Sequence, residues 1–148
     1  MNYETLNGEV GPMTTTTVGP AAVARDVLGR LETAWNSADG AAFGAVYAED
    51  AEFVTVRGVH LTGASAIAAG HARIFATIYA GSVNRMDLVR AEEIADGVVL
   101  AISVHTLDCP SGPLVGVHRA MSTSVLARPP RGGRSWQVVA THNTLVAV

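Results

Sequence analysis

The chain has 148 residues, of which 49% are hydrophobic and 16% are charged, and its formal net charge is −3. This length fits one compact domain, which we expect to bury roughly two-thirds of the surface that the unfolded chain exposes. All ten basic residues are arginine. The absence of lysine excludes Schiff-base enzymes, pyridoxal phosphate attached to the chain and a P-loop lysine.

The mild acidity and the lack of any cluster of basic residues argue against a nucleic-acid partner. Cys109 is the only cysteine, which excludes an intrachain disulfide and a cysteine-cluster metal site. No apolar stretch approaches the ~18–20 residues of a membrane span, and the N-terminal segment lacks the basic-then-apolar pattern of a signal peptide. We therefore expect a cytoplasmic protein without a nucleic-acid or membrane partner.

Residues 1–19 are predicted to be a flexible leader, followed by a single domain over residues 20–148. The leader is polar and contains glycine and a run of threonines at 14–17, and Met13 offers an alternative start. Pro20 suits the first turn of a helix, where its missing N–H costs nothing.

Two helices are predicted next. Apolar residues at helical spacing define the first, of about four turns: Val23, Val27, Leu31, Ala34 and Trp35. This helix ends in the polar segment 36–40, where Asp39 can cap a second, short helix. We expect the second helix to carry Phe43, Val46 and Tyr47 on one side.

A small hairpin and a third helix follow. Residues 52–56 and 59–61 are predicted strands around the turn Arg57-Gly58. Thr62 is the predicted N-cap of the third helix. One face of that helix carries Ile67, His71, Ile74, Phe75 and Ile78.

The remainder of the chain is predicted to be β structure. Four long strands are expected over 83–94, 98–107, 117–127 and 136–146, and Asp96-Gly97 predicts a tight turn between the first two. This order of elements predicts an α+β domain, with the helices on one face of a curved antiparallel sheet.

A series of short motifs spans residues 20–146 and resembles a known family. The segments 35–39 (WNSAD) and 47–51 (YAEDA), with Phe43 between them, resemble the opening of a SnoaL-like domain. A second set resembles the SgcJ/EcaC-type subgroup, whose members occur in enediyne antibiotic gene clusters and elsewhere in actinobacteria. This set comprises Phe53-Val54-Thr55, Gly58, Gly63, Ile67, Gly70-His71, Phe75, Tyr79, Trp136 and His142-Asn143-Thr144.

The resemblance implies a cone-shaped α+β barrel, the cystatin-like fold of ketosteroid isomerase and nuclear transport factor, in which a curved antiparallel sheet wraps around about three N-terminal helices. It also implies a homodimer whose sheets contact each other, with an apolar pocket inside each cone. No cofactor is expected. Relatives on this fold act as isomerases, cyclases, dehydratases or hydrolases, and many only bind a ligand, so the pocket residues must decide the function.

His71 is the leading candidate for a catalytic residue. Its position between Ile67 and Ile74 places it on the buried stripe of the third helix. An imidazole there can act as a general acid or base near neutral pH. The alternative is a core histidine that is hydrogen-bonded to a backbone carbonyl, and the resemblance at Gly70-His71 favours the pocket.

His142 and Asn143 are candidate ligand-binding residues on the last strand. They are adjacent in sequence, so they point to opposite faces and only one of them can enter a cavity. The sequence leaves open which one does. His105 and His118 flank the loop after the second long strand, where together with Arg119 they can bind an anionic group or simply be solvated.

The remaining candidates are apolar or acidic. Five residues are expected in the core, where the core and the pocket lining partly coincide: Trp35, Tyr47, Phe53, Phe75 and Met121. Asp87 is the only acid well inside a long strand, and its parity groups it with Arg85 and Val89 on an expected exposed face. The pocket carboxylate of ketosteroid-isomerase chemistry is therefore not evident. No motif with metal-ligand spacing occurs, so no metal is expected.

These observations lead to three functional hypotheses. The first is a small-molecule-binding protein of secondary metabolism that handles a hydrophobic polyketide-like intermediate in enediyne-type biosynthesis, alone or with a biosynthetic enzyme of the same pathway. The second is a cofactor-independent isomerase, cyclase or dehydratase that uses His71 together with Tyr47 or a strand residue. The third is a non-catalytic dimeric scaffold whose cone is filled with side chains.

Overall fold

The computed structural model describes residues 18–129, 131, 133 and 135–147, so most of the predicted leader lies outside the described residues. Within this part of the chain, three helices and six strands follow one another. The elements are α1 (Pro20–Asn36), α2 (Gly40–Gly44), β1 (Tyr47–Val54), β2 (His60–Thr62), α3 (Ala64–Ala76), β3 (Val83–Ala95), β4 (Val98–Cys109), β5 (Gly116–Ala127) and β6 (Gln137–Leu145). The predicted α+β class is confirmed.

Helix α1 forms where the apolar spacing predicts it. Pro20 occupies the first turn, and Gly19 is the N-cap. The apolar stripe that contains Val27 and Leu31 is buried against the sheet. Burial of each such side chain contributes about 1.5–3 kcal/mol relative to exposure, so this stripe is the main reason that α1 docks.

Helix α2 packs on α3 at very short range. The predicted cap is confirmed, since the carboxylate of Asp39 accepts a hydrogen bond from the Ala42 N–H at 2.9 Å. A Cβ atom at Gly44 would lie 2.5 Å from Cβ of Ala68, and Gly40 meets α3 in the same way. Real Cβ atoms do not approach so closely, so only glycine allows the two helices this contact.

Several predicted boundaries are wrong, among them the end of α2 and the start of α3. Tyr47 belongs to strand β1 and not to the second helix, because it pairs with Val138 of β6, a partner that a local pattern does not reveal. Thr62 ends β2, where its hydroxyl donates to Glu52 at 2.7 Å, and does not cap α3. The N-cap is Gly63, whose φ of 95° is a conformation that glycine adopts without strain.

The described strands form one sheet in the order β2-β1-β6-β5-β4-β3. Neighbouring strands are antiparallel except β1 and β6, a parallel pair that the sequence pattern did not predict. Register shifts interrupt β3 beside Val89 and the β5–β6 pair beside Leu126. Such bulges bend and twist a sheet. We call the side that faces the helices the inner face and the opposite side the outer face.

Strand β3 lies at one edge of the sheet, and side chains from α1 cover part of that edge. The amide of Asn36 donates to the Asn84 carbonyl at 3.0 Å and accepts from the Asn84 N–H at 2.7 Å. Glu32 accepts from the Met86 N–H at 2.7 Å. Backbone groups that would otherwise pair with another chain are thereby satisfied.

The core lies between the helices and the inner face. It contains large buried side chains from every layer: Trp35, Phe43, Phe53, Ile67, Phe75, Val99, Leu126 and Val138. Among the described residues, no helix is long and apolar enough to cross a membrane.

Candidate functional site

A cavity of about 440 Å³ opens between α3, the β1–β2 hairpin and the end of β6. We call it the mouth cavity. Its walls are mostly apolar, with Phe53, Val56, Val59, Leu61, Ile74 and Ile78 in the lining. Its polar lining groups are Thr55, Arg57, His71, Arg73, Tyr79 and Asn143.

A second, enclosed space of about 30 Å³ lies deeper in the cone, and we call it the inner pocket. Three residues, Phe53, His71 and Asn143, line both spaces. These three side chains therefore form the boundary at which a molecule in the mouth cavity meets the interior of the cone.

His71 is buried, with 5% of its surface exposed. Its Nδ1 donates a hydrogen bond to the Ile67 carbonyl at 2.7 Å. In a neutral imidazole this leaves Nε2 as a hydrogen-bond acceptor. Burial lowers the pKa of His71 to about 4, although the Ile67 carbonyl opposes this shift. His71 is thus a core histidine bonded to a backbone carbonyl and, at the same time, a neutral residue of the cavity lining.

Aromatic rings hold the His71 imidazole in place. Phe43 stacks on it with the ring centroids 4.0 Å apart, and Phe53 meets it edge-on at 5.2 Å. Trp35 and Phe75 each lie 6.0 Å away in edge arrangements. Since stacked and edge-to-face contacts are the favourable geometries for such rings, the orientation of His71 is fixed before a ligand arrives.

Small polar side chains run across the inner face of the sheet. Ser103 of β4 pairs with Ser122 of β5, which pairs with Asn143 of β6. In the next row, Ser124 and Thr141 are linked by a hydrogen bond of 2.8 Å between their hydroxyls. The interior of the cone is therefore lined with hydroxyl and amide groups where a core would ordinarily be apolar.

Tyr47 joins the second of these rows. Burial raises the pKa of its phenol, and a hydrogen bond with Thr141 acts in the opposite direction. The phenol therefore stays protonated at neutral pH. Together with Thr141 and Ser124 it makes a chain of uncharged hydroxyl groups inside the cone.

His105 lies at the other side of the inner pocket. Its Nε2 is 3.0 Å from the Ser103 hydroxyl. Burial lowers the pKa of His105 to about 4, while Asp87 acts to raise it. His105, His71 and Tyr47 are therefore all neutral near pH 7, and the inner pocket presents dipoles rather than charges.

The side-chain oxygen of Asn143 is buried and has no hydrogen-bond partner among the described residues. A buried acceptor without a partner costs about 1–3 kcal/mol, and nearly all such atoms in native proteins are satisfied. Asn143 lines both the mouth cavity and the inner pocket, so this side chain lies at the boundary between the two spaces.

The structure brings six of the sequence-predicted residues together in the linings of the mouth cavity and the inner pocket: Trp35, Tyr47, Phe53, His71, His105 and Asn143. Phe75 lies behind this lining, against Trp35 at 4.9 Å. Arg119, Met121 and His142 lie on the outer face, because their positions in β5 and β6 alternate with inward-facing Ser122 and Asn143. Arg119 thus does not join His105 and His118, which share the inner side of β4 and β5.

Sequence reasoning missed several residues of the lining. Ser122, Ser124 and Thr141 are not among the candidates that the sequence indicated. Their spacing contains the signal, since polar residues at every second position of a strand share one face. Arg57 and Arg73 come from separate elements, and no sequence pattern connects them.

Two further observations delimit the site. A more open groove of about 720 Å³ lies outside the cone between α1 and α2, where Arg30 and Asp26 form an exposed ion pair of 3.2 Å. Among residues 18–129, 131, 133 and 135–147, no group of three or more histidine, cysteine or acidic side chains is placed to hold a metal ion.

Comparison with known proteins identifies the fold. No family model and no curated protein matches the chain. Among solved structures, a domain with a cystatin-like fold from Nostoc punctiforme is similar over 90% of this chain and 81% of that one, with 24% identity and a TM-score of 0.77.

A ketosteroid isomerase-like protein from Erwinia carotovora atroseptica is similar over 86% of this chain and 96% of its own, with 17% identity and a TM-score of 0.70. An NTF2-like protein with a cystatin-like fold from Novosphingobium aromaticivorans is similar over 86% of this chain and 82% of its own, with 20% identity and a TM-score of 0.66. The predicted cystatin-like cone is confirmed, and the closer likeness to the SgcJ/EcaC subgroup stays a prediction.

Proposed function

We propose that the cone binds a hydrophobic small molecule that donates a hydroxyl or N–H group to Asn143 and His71. We further propose that this molecule is a polyketide-like intermediate of secondary metabolism, of the enediyne type that the SgcJ/EcaC resemblance implies. Binding of a small molecule inside the cone is in keeping with the ketosteroid isomerase-like and NTF2-like structures that share the fold.

The unpartnered oxygen of Asn143 is the observation that carries the proposal. His71, at the same boundary, offers a second acceptor through Nε2, because its Nδ1 proton is hydrogen-bonded to the Ile67 carbonyl. Two neutral acceptors that line the same two spaces favour a ligand that donates hydrogen bonds. Hydroxylated carbon skeletons, such as polyketide intermediates, have this chemistry.

The mouth cavity supports the same class of ligand. Its volume of about 440 Å³ lies within the range of small-molecule sites, which are typically apolar with a few polar groups that fix orientation. A scaffold whose cone is filled with side chains predicts no such space. The cavity therefore favours a ligand-binding function over the scaffold hypothesis.

Acid–base catalysis by His71 is the second candidate, and its position in the cavity lining is the observation that favours it. General bases work best when their pKa lies near the working pH. A pKa of about 4 makes His71 a weak base, although it remains a good hydrogen-bond acceptor. Binding is thus the better supported of the two functions, and turnover of a bound intermediate would reverse that order.

We also propose a homodimer that forms through the outer faces of two sheets. Partly exposed apolar side chains support it, among them Ile102 and Val104 on β4 and Met121 on β5. A biosynthetic enzyme of the same pathway is the proposed second partner, since a protein that holds an intermediate must receive it or pass it on.

A matched pair of probes tests the binding function. Naphthol offers one hydroxyl donor on an apolar body, and methoxynaphthalene has the same body without the donor. By calorimetry, we expect naphthol to bind about fivefold or more tightly than the ether, since a hydrogen bond contributes ~1 kcal/mol. The Asn143→Leu variant should lose this preference.

His142→Leu is the matched control, because His142 neighbours Asn143 but lies on the outer face. It should bind both probes as the unaltered protein does. Equal affinity of the unaltered protein for both probes would contradict the role of the acceptors. Absence of binding by either probe, with no small molecule in native mass spectra of the purified protein, would contradict the binding function itself.

A further inference from the structure

The charged residues of the mouth cavity are all cationic. Arg57 and Arg73 are in its lining, and the described residues that line it include no aspartate or glutamate. The chain as a whole has a net charge of −3. Positive charge is thus concentrated at the cavity entrance of an otherwise acidic protein, an arrangement that attracts anions toward a cleft.

Neither arginine is neutralised within the described part of the chain. Four other arginines form ion pairs with acidic neighbours. Arg57 and Arg73 form none with the described residues, and both side chains are exposed to solvent at the entrance. Their guanidinium groups are therefore available to a ligand.

The turn that carries Arg57 is held in place by local contacts. The hydroxyl of Thr55 accepts hydrogen bonds from the N–H groups of Arg57 at 3.2 Å and Val59 at 3.1 Å. Gly58 follows with a φ of 79°, which favours glycine. Arg57 therefore stands on a fixed turn rather than on a flexible loop.

The charge of Arg57 also acts inside the cavity. Burial raises the pKa of Tyr79, a half-buried residue of the same lining, and the Arg57 guanidinium opposes that shift. Arg57 is thus close enough to change the energy of an anion next to Tyr79. A negatively charged group of a ligand at that place would be stabilised in the same way.

On the basis of the proposed binding function, we infer that the ligand of this cone carries an anionic oxygen group, a carboxylate or a phosphate, at the end that stays in the mouth. Arg57 and Arg73 bind this group, the apolar walls enclose the body of the molecule, and its hydroxyl end reaches Asn143 and His71. The ligand is therefore an amphiphilic anion that enters with its neutral end first.

A set of flexible probes tests this orientation. ω-Hydroxydecanoate carries a carboxylate and a hydroxyl, and its methyl ester lacks only the charge. We expect the acid to bind about tenfold more tightly than the ester at low salt, and the difference to shrink as salt screens the arginines. ω-Hydroxydecyl phosphate compares the two anions, and because it carries nearly twice the charge, only a preference for it that persists at high salt would identify a phosphate as the natural group.

Charge-removing variants locate the effect. Arg57→Gln and Arg73→Gln should each weaken binding of the acid about fivefold and leave binding of the ester unchanged. Arg25→Gln removes the same charge from the exposed surface of α1 and should change neither. Because Arg73 lies in the last turn of α3, where a cation favours the helix, thermal unfolding of each variant is measured alongside.

Equal affinity for acid and ester, or variants that weaken both probes alike, would overturn the inference while the binding function stands. If neither probe binds and naphthol also fails to bind, the proposed function and this inference fall together. If naphthol binds but neither flexible probe does, only the inference is overturned.

Discussion

Each face of the sheet contains a region that departs from what is expected of a folded domain. Beside the inner pocket, the inner face is buried yet polar, since Ser103 and Ser122 are each only 3% exposed, although other inward-facing residues form the apolar core. The outer face is exposed yet apolar in places, with Val117 at 64% and Met121 at 37%. In a sheet with one solvated face, apolar residues ordinarily point inward and polar residues outward.

These two regions show that burial and polarity respond to different requirements. Inside the cone, the hydroxyl groups of Tyr47, Thr141 and Ser124 are neutral and hydrogen-bonded to one another, so a cavity can be polar without an unpaired charge. Outside, contiguous apolar surface on a protein commonly marks an interaction site. The proposed ligand is thus assigned to the inner face, and the proposed partner to the outer face.

The largest change in the free energy of unfolding is expected for the aromatic residues that pack over the inner face. Trp35→Ala should lower the free energy of unfolding by about 3–5 kcal/mol, because it leaves a cavity and removes the partner of the Ser82 hydroxyl. Val117→Ala on the outer face should change it by less than about 0.5 kcal/mol. Urea unfolding of both variants measures the difference, and similar effects would mean that the inner aromatics are not the core.

The buried histidines predict sensitivity to acid. Burial holds the pKa values of His71 and His105 at about 4 in the folded state, below the usual 6.5. The unfolded chain therefore binds protons first, and stability falls as the pH drops from about 6.5 to about 4, by roughly 3 kcal/mol for each histidine.

Unfolding free energies measured across this pH range test the expectation. In His71→Gln, one proton fewer is taken up on unfolding. The slope of the unfolding free energy against pH should therefore decrease by ~1.4 kcal/mol per pH unit. Stability at pH 7 serves as the reference for each variant, so that lost packing is separated from lost titration. An unchanged slope would mean that His71 is not held neutral by the fold.

A smaller change in the free energy of unfolding, this time an increase, is expected for substitution of Asn143. Asn143→Leu removes a buried oxygen that lacks a partner among the described residues, so it should raise the free energy of unfolding by ~1 kcal/mol while weakening ligand binding. Gain of stability with loss of affinity is typical of a residue kept for function. A destabilised Asn143→Leu protein would indicate that the amide has a structural role.

The smallest effect on folding is expected on the outer face. Met121→Asp places a charge in the proposed dimer contact, so it should shift the protein toward the monomer and change the stability of the monomer by less than about 0.5 kcal/mol. Analytical ultracentrifugation at several concentrations measures the association, with Asp26→Asn on the α1 surface as the control. An unchanged association constant would place the interface elsewhere.

The local features of the fold could be predicted from the sequence. Helix α1 has a complete apolar stripe, Asp39 has the chemistry of an N-cap, and Asp96-Gly97 marks the turn between β3 and β4. In each case, the residues that determine the structure are neighbours along the chain. The cystatin-like cone followed from their order together with the family resemblance.

The site was harder to predict because it depends on which way a strand faces. His142 and Asn143 are both polar, and the two alternating sets in β6 are similarly mixed, so parity alone could not assign a face. The parallel pairing of β1 with β6 fixes the answer through contacts between distant segments. For the same reason, Arg57 and Arg73 became neighbours of one cavity only in three dimensions.

The contacts of Asn36 and Glu32 with β3 have a consequence for behaviour at high concentration. By occupying the backbone groups at Asn84 and Met86, they leave no continuous row of free donors and acceptors along the first half of that edge. The opposite edge strand, β2, is only three residues long. Growth of the sheet by strand addition, the route to fibres, is thus opposed along the first half of β3 by two side chains of a helix, and at the other edge by the shortness of β2.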